Sequence, residues 1–140
     1  MNEAIDLRRP HCAQLAVLLP KRSARRLTFR ADLIAFIYDP TPDAYTRLAQ
    51  TLDIIAIAMQ VQRGTEFLVQ IQSARRVMVA ILDRLERIGA LAVSTHDAQT
   101  LRTAAPHIEA AIGRTRLDAF SFANAIVQHK MQVQGMAHID

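Results

Sequence analysis

Apolar residues recur along most of the chain at alternating spacings of three and four residues. This spacing places them on one face of a helix and is typical of helices that pack against other helices. Three segments carry the pattern, over about residues 41–62, 66–88 and 94–134. We therefore predict an all-α protein with three long helices. The connections around Gly64 and after Gly89 are short, so neighbouring helices should run antiparallel.

Residues suited to helix N-termini precede two of these segments. Thr41 can cap the first segment, Pro42 fits the first helical position, and Asp43 places a carboxylate in the first turn. Ahead of the third segment, either Ser94 or Thr95 can act as the cap. The first and third helices are therefore expected to begin directly after these capping residues.

Pro106 lies inside the third segment, yet the spacing of apolar residues continues across it. A proline in a helix interior removes one hydrogen bond and clashes with the preceding turn. We expect either a kink near residues 103–105 or a short helix followed by a new start. The unbroken register favours a kink within one continuous helix.

Without its capping residues, a helix over about residues 96–134 would be about 58 Å long, against about 33 Å for each of the other two. Its C-terminal stretch should then extend beyond its neighbours and leave apolar side chains exposed. These side chains form the predicted interface: Phe120, Phe122, Ile126, Val127 and Met131.

Two elements can cover this apolar stretch. The N-terminal segment can fold back as a short helix with Leu33, Ile34 and Ile37 on its apolar face, ending at Asp39–Pro40. A second protomer can cover the stretch instead. We expect both, which predicts an antiparallel helical bundle of three long helices plus a short N-terminal helix that dimerises through helix faces.

The composition fits this interpretation. Hydrophobic residues make up 51% of the 140 residues, a high share for a small domain, and oligomerisation would explain where that surface goes. Cys12 is the only cysteine, so an intrachain disulfide is impossible and a reducing, cytoplasmic setting is expected. No signal peptide is expected. The apolar stretches are shorter than the about 20 residues that a membrane span needs, so none is predicted.

Positive charge is concentrated at the N-terminus. The first thirty residues contain seven basic and two acidic side chains, whereas the remainder contains ten and eleven. We predict a basic arm over residues 1–30 and a helical domain over residues 31–140. Such an arm can contact nucleic acid, an anionic membrane surface or an acidic partner, or be a solvated tail. Its candidate contact residues are Arg8, Arg9, Lys21, Arg22, Arg25, Arg26 and Arg30.

Motifs for catalysis, metal binding and cofactor binding are missing from the sequence. We therefore predict no catalytic residues, no cofactor and no metal site. Two polar residues interrupt apolar surroundings. Asp53 is expected on an exposed strip, with pairing to Arg47 or Arg84 as the alternative. His129 takes an apolar position of the third helix, as a core histidine or as a residue that makes assembly sensitive to acid.

These observations favour a non-enzymatic protein that acts through self-association and protein–protein interaction, of the adaptor, chaperone or regulator type. The alternative is nucleic-acid binding through the basic arm, with the helical domain serving as the dimeriser. An enzyme is not expected, because helical bundles that catalyse usually hold a metal or cofactor.

Overall fold

A computed structural model describes the backbone of residues 23–139 and the side chains of residues 23–134. Over this part of the chain the protein is helical and contains no strand, which confirms the all-α class. The described part of α1 covers residues 23–38. Four further helices follow: α2 (Pro42–Val61), α3 (Leu68–Ile88), α4 (Thr95–Arg114) and α5 (Leu117–Ile139). The described residues thus form five helices, where three long helices and a short one were predicted. None of the five is long and apolar enough to cross a membrane.

Both ends of α2 are fixed by local hydrogen bonds. The Thr41 hydroxyl accepts a hydrogen bond from the Ala44 amide at 3.1 Å, and Pro42 is the first helical residue, as predicted. At the other end, the Gly64 amide donates to the Met59 carbonyl at 2.8 Å. The residue in the left-handed conformation is Arg63, with φ of 59°, rather than the glycine beside it.

The connection from α3 to α4 follows the sequence signals closely. Gly89 ends α3 with φ of 73°, a conformation that favours glycine. Ser94 is the cap of α4, and its hydroxyl accepts from the Asp97 amide at 3.0 Å. The Asp97 carboxylate in turn accepts from the Ser94 amide at 3.1 Å, which completes a capping box.

The third predicted helix is in fact two helices, so the prediction of one continuous helix kinked at Pro106 was wrong. α4 continues through Pro106 to Arg114, and the chain leaves helical geometry at Thr115, where ψ is 121°. Pro106 is tolerated because it is exposed, so water can reach the carbonyl that its missing N–H leaves without a partner. The Thr115 hydroxyl donates to the Ala111 carbonyl at 2.7 Å and closes the last turn of α4.

The break between α4 and α5 is held by a side chain from the end of α2. The Gln62 amide nitrogen donates to the Arg114 carbonyl at 3.1 Å, and the Gln62 amide oxygen accepts from the Arg116 amide at 2.6 Å. One glutamine therefore binds the end of α4 and the start of α5. From here α5 runs back along α2, so the predicted overhang beyond neighbouring helices does not occur.

α2 lies at the centre of the molecule and contacts α3, α4 and α5. The ion pair of Asp53 with Arg75 and the hydrogen bond of Tyr45 to Met78 show that α3 runs back along α2. The main hydrophobic core joins side chains from α1, α2, α3 and α4. A second, smaller cluster lies between α2 and α5. An almost wholly apolar α2 is explained by this position.

α1 packs through a face that includes two of the three predicted residues, Leu33 and Ile37, but not Ile34. Phe29, Leu33 and Phe36 are buried in the main core, Ile37 is half-buried, and Ile34 is 50% exposed. The buried residues are spaced by four and three, and Ile34 follows Leu33 by one residue, which turns it about 100° around the helix. Ile34 was therefore wrongly placed on the packed face.

Candidate interaction surface

α5 packs against α2 through small side chains. Ala119, Ala123 and Val127 are spaced by four residues and are buried against Ile54 and Ala58 of α2. Two alanines in this row allow the two helix axes to approach closely. This row is the side of α5 that the fold of one chain covers.

A second row of side chains lies about 100° around α5 from this one. We call Phe122, Ile126, His129 and Val133 the outward stripe. Their spacing of four, three and four residues places them on one side of the helix over about 16 Å. Phe122 is 54% exposed and Val133 is 51% exposed, while Ile126 is half-buried and His129 is exposed.

The sequence pattern had assigned the outward stripe to a packed helix face. The spacing was correct, but the pattern was extended through Thr115 as if the helix were continuous. Ala119 belongs to that same predicted face and is buried against α2, but the buried row continues through Ala123 and Val127 and not through Phe122 and Ile126. His129, which was predicted on that packed face, is exposed in the single chain.

The five predicted interface residues are therefore divided among different surroundings. Phe122 and Ile126 belong to the outward stripe, and Val127 is buried against α2. Phe120 is half-buried, with the Arg25 guanidinium 4.1 Å from its ring centroid. Met131 is 38% exposed, and its sulfur accepts a hydrogen bond from the Gln50 amide.

α5 carries very little charge for a helix on the surface. Between Asp118 and the last described side chain at residue 134, Lys130 is the only Asp, Glu, Lys or Arg. The exposed polar residues of this stretch are mostly uncharged: Ser121, Gln128, Gln132 and Gln134. By contrast, α3 exposes Arg76, Asp83, Glu86 and Arg87. Removing water from the exposed side of α5 therefore costs far less than it would on α3.

α1 presents another row of exposed apolar side chains, which the sequence reasoning missed. Leu27, Ile34 and Tyr38 are spaced by seven and four residues and are all at least half exposed. The Arg102 guanidinium lies 5.7 Å from the centroid of the Tyr38 ring. The end of this row is thus already in contact with a charged side chain.

The predicted basic arm is only partly within the described residues. Arg8, Arg9, Lys21 and Arg22 lie outside them. The remaining candidates, Arg25, Arg26 and Arg30, are on α1, in the same part of the helix that buries Phe29 in the core.

Two of these three arginines already contact other helices. Arg30 Nε donates to Glu109 of α4 at 2.8 Å, and Arg25 lies over Phe120 of α5. Arg26 is exposed, and its guanidinium passes close to Gly113 of α4. The described part of the arm therefore connects α1 to its neighbours.

Asp53 lies in an open groove between α2, α3 and α5. Its carboxylate is 3.0 Å from Arg75 Nε, and both side chains are partly exposed. Asp53 is therefore paired with an arginine, but with neither of the two predicted, because Arg47 binds Asp32 and Arg84 binds Asp97. Arg75 comes from the adjacent helix, and a pattern along the chain could not identify it.

A second groove between α3 and α4 is lined by polar, mostly uncharged side chains. His96 and His107 lie along it, about 16 Å apart on the same helix. Within the described residues there is no group of three His, Cys, Asp or Glu that could hold a metal ion. The Gln70 side-chain oxygen in this groove is buried and has no hydrogen-bond partner among the residues that the structure describes.

Two ionisable groups inside the fold have perturbed pKa values for structural reasons. Burial raises the pKa of Tyr45, whose hydroxyl donates to the Met78 carbonyl at 2.9 Å. Burial acts to raise the pKa of Asp97 as well, but the hydrogen bonds from Arg84 and Ser94 and the charge of Arg84 outweigh it and lower that pKa. Both groups connect neighbouring segments of the fold.

Comparisons with protein-family models, curated proteins and solved structures found no match to this chain. Of the surfaces described above, the outward stripe of α5 is the one that combines exposed apolar side chains, helix-packing spacing and a lack of charge.

Proposed function

We propose that this protein is a non-enzymatic helical bundle that acts through self-association and protein–protein contact, with the outward stripe of α5 as its contact surface. A single observation carries the proposal. Phe122, Ile126 and Val133 occupy positions that another helix would normally cover, on a helix surface with almost no charge. Adaptors and regulators built from helices use such faces to bind other helices.

Covering the outward stripe is energetically favourable. Completing the burial of a side chain such as Phe122, which is about half exposed, contributes on the order of 1 kcal/mol. Neighbouring uncharged amides can form hydrogen bonds across a contact and add little desolvation cost. A helix packed on this face therefore gains apolar burial without having to bury an unpaired charge.

The proposal is tested by the substitution Phe122→Glu, with Val79→Glu as its matched control. Val79 is also an exposed apolar residue on a helix, but it lies on α3, away from the outward stripe. We expect the unaltered protein to associate with rising concentration in sedimentation equilibrium. Phe122→Glu should shift it to the 15.6 kDa monomer, whereas Val79→Glu should leave association unchanged.

Circular dichroism of both variants checks that the helices are intact. An unaltered protein that stays monomeric at every concentration, and that shows no sensitivity of partner binding to Phe122→Glu, would contradict the proposal. Deleting α5 is a poorer experiment, because the deletion would also expose Ile54 and Ala58 of α2. A fragment without α5 would gain a new apolar surface while losing the old one.

A further inference from the structure

We infer that the outward stripe is covered by the same stripe of a second copy, with the two α5 helices antiparallel about a twofold axis. In this arrangement Phe122 packs against the partner's Val133, and Ile126 packs against the partner's His129. The inference rests on the proposed function and specifies the partner and the geometry of that contact.

The scarcity of charge beside the outward stripe indicates which kind of helix can cover it. A helix that covers the outward stripe also approaches the flank formed by Ala125, Gln128 and Gln132, where the two glutamines offer hydrogen bonds but no charge to neutralise an ionic partner. A charged helix face would lose its hydration there without gaining an ion pair. α5 itself presents an apolar stripe with an alanine and uncharged amides on this flank and a single charge, Lys130, on the other, so a second α5 satisfies this requirement.

The exposed row on α1 is a weaker candidate for the same contact. Its Tyr38 lies beside Arg102, and Arg30 is exposed on the same helix. A partner helix on α1 would have to desolvate guanidinium groups, whereas a partner helix on the outward stripe would not. The two faces can be separated by substitution, because Ile34 lies on one and Phe122 on the other.

The spacing of the outward stripe suits an antiparallel pair. Its intervals of four, three and four residues read the same in both directions. Each stripe residue of one helix therefore lies level with a stripe residue of a reversed copy, and we call each such pair a layer. Two layers then combine a phenylalanine with a valine, and two combine an isoleucine with a histidine. A parallel pair would place phenylalanine against phenylalanine and bury two imidazoles together.

Packing volumes and helix dipoles both favour the antiparallel pair. Layers that combine large and small side chains fill an interface more evenly than layers of two large ones. Antiparallel helices also bring the positive end of each helix dipole near the negative end of the other. Lys130 is then level with the partner's Ala125 and not with a second lysine.

The contact is small. Four side chains over about 16 Å are far fewer than the roughly 20–30 residues per partner of a standard stable interface. The dimer should therefore be weak and dependent on concentration, so association is measured over a series of protein concentrations.

Disulfide crosslinking tests the geometry directly. In a Cys12→Ser background, one chain carries Phe122→Cys and another carries Val133→Cys. The antiparallel pair brings these two positions together but keeps residues 122 of the two copies about 16 Å apart along the axis, too far for a disulfide. Under mild oxidation we expect the mixture to form a mixed dimer several-fold faster than either chain alone.

A pair of opposite charges provides a second experiment, in case the cysteine variants associate too weakly. Phe122→Lys and Val133→Glu chains should each be monomeric alone and should associate when mixed, since each lysine then faces a glutamate. Phe122→Cys chains that crosslink alone as fast as the mixture would overturn the antiparallel geometry.

One further outcome separates the inference from the proposed function, and two others overturn the contact itself. In the first, the unaltered protein dimerises and Phe122→Glu abolishes this, while neither the cysteine mixture nor the charge mixture associates better than its separate chains. In that case the antiparallel pairing is wrong and the proposed function stands. If Ile34→Glu dissociates the dimer and Phe122→Glu does not, α1 is the contact and both are overturned. An unaltered protein that is monomeric throughout the range overturns self-association itself.

Discussion

At the residue scale, two backbone positions in the left-handed region end helices α2 and α3. Gly89 adopts φ of 73° at no steric cost, whereas Arg63 adopts φ of 59° with a full side chain. The left-handed conformation costs a residue with a Cβ about 1 kcal/mol relative to glycine. The two turns therefore differ in how well their residue types suit the conformation.

We predict opposite effects from exchanging residue types at these positions. Arg63→Gly should raise the free energy of unfolding by about 0.5–1 kcal/mol, because it relieves the strained conformation. Gly89→Ala should lower it by about 1 kcal/mol, since nothing crowds the site and the backbone conformation alone is responsible. Urea unfolding measures both, and a destabilising Arg63→Gly would show that the arginine side chain has a role outweighing its strain.

Asp97 links stability to pH. Its carboxylate accepts hydrogen bonds from Arg84 and from the Ser94 amide, and its pKa is lowered in the folded protein. A lowered folded-state pKa means that the stabilisation is present above the unfolded value of about 3.9 and is lost as pH falls through the folded value. Asp97 should thus stabilise the α3–α4 connection at neutral pH and stop doing so in strong acid.

The variant Asp97→Asn tests this expectation. At pH 7 it should cost about 1–3 kcal/mol in urea unfolding, because the Arg84 guanidinium loses its charged partner. Near pH 3 the difference from the unaltered protein should shrink. Asp39→Asn, at an exposed position between α1 and α2, is the control and should show a small effect at both pH values. An equal cost of Asp97→Asn at both pH values would contradict the assignment.

At the scale of the helices, Gln62 connects the end of α4 to the start of α5. It donates to the last residue of α4 and accepts from the residue before α5, so the two helices meet at the end of α2. Helix ends carry backbone groups without a partner inside the helix, and Gln62 supplies a partner for one group on each side. The direction of α5 therefore depends on a contact between residues far apart in the sequence.

Replacing this glutamine should loosen α5 selectively. Gln62→Ala removes both hydrogen bonds and should lower the free energy of unfolding by about 1–2 kcal/mol. Hydrogen exchange should accelerate at the α5 amides more than at those of α3, since α5 has fewer other contacts to hold it. Gln60→Ala, two residues earlier on an exposed part of α2, is the control and should change neither. Uniform acceleration over all helices would show that Gln62 acts on global stability instead.

The sequence predicted the features that depend on contacts within one helical turn, and it missed those that depend on contacts between residues far apart in the sequence. The starts of α2 and α4 were predicted correctly because Thr41 and Ser94 act on backbone groups within the next turn. The break at Thr115 was missed because the apolar spacing continues across it and the stabilising Gln62 comes from the end of α2. An irregularity was expected at Pro106 instead, where the exposed side of α4 tolerates a proline and the helix continues.

The residues of the candidate surface were also predicted only in part. Phe122 and Ile126 were predicted as contact residues because the third helix was expected to extend beyond its neighbours; both lie on the outward stripe, and their role as contact residues stays a prediction. Val127 was placed with them but is buried, because the rotation of α5 about its axis depends on how the break is made. The partner of Asp53 could not be identified either, since Arg75 lies on another helix.

At the scale of the whole molecule, α2 and α5 are both rich in apolar residues but differ in how much the fold covers them. α2 is packed by helices on several sides, which accounts for its composition. α5 is covered by α2 through the row of Ala119, Ala123 and Val127, while Phe122 and Val133 are left half exposed. The apolar content of α5 is thus only partly explained by the fold of one chain, which supports the proposed contact.

The same molecule provides a test between protein contact and nucleic-acid binding. Arg30 is paired with Glu109 and Arg25 lies over Phe120, so the nucleic-acid alternative depends mainly on Arg26 and on basic residues outside the described part. Binding through basic residues releases counterions and weakens steeply with salt, whereas an apolar helix contact does not. Raising the salt concentration therefore affects the two functions differently.

We predict that size-exclusion chromatography with light scattering will give the same mass at low and moderate salt, with a low absorbance at 260 nm. The chain has no tryptophan and two tyrosines, so even a small amount of bound nucleic acid would dominate the absorbance. Phe122→Glu should lower the mass at both salt concentrations. A strong 260 nm signal that salt removes, and that Arg22→Ala with Arg26→Ala also removes, would instead favour the basic residues as the functional surface.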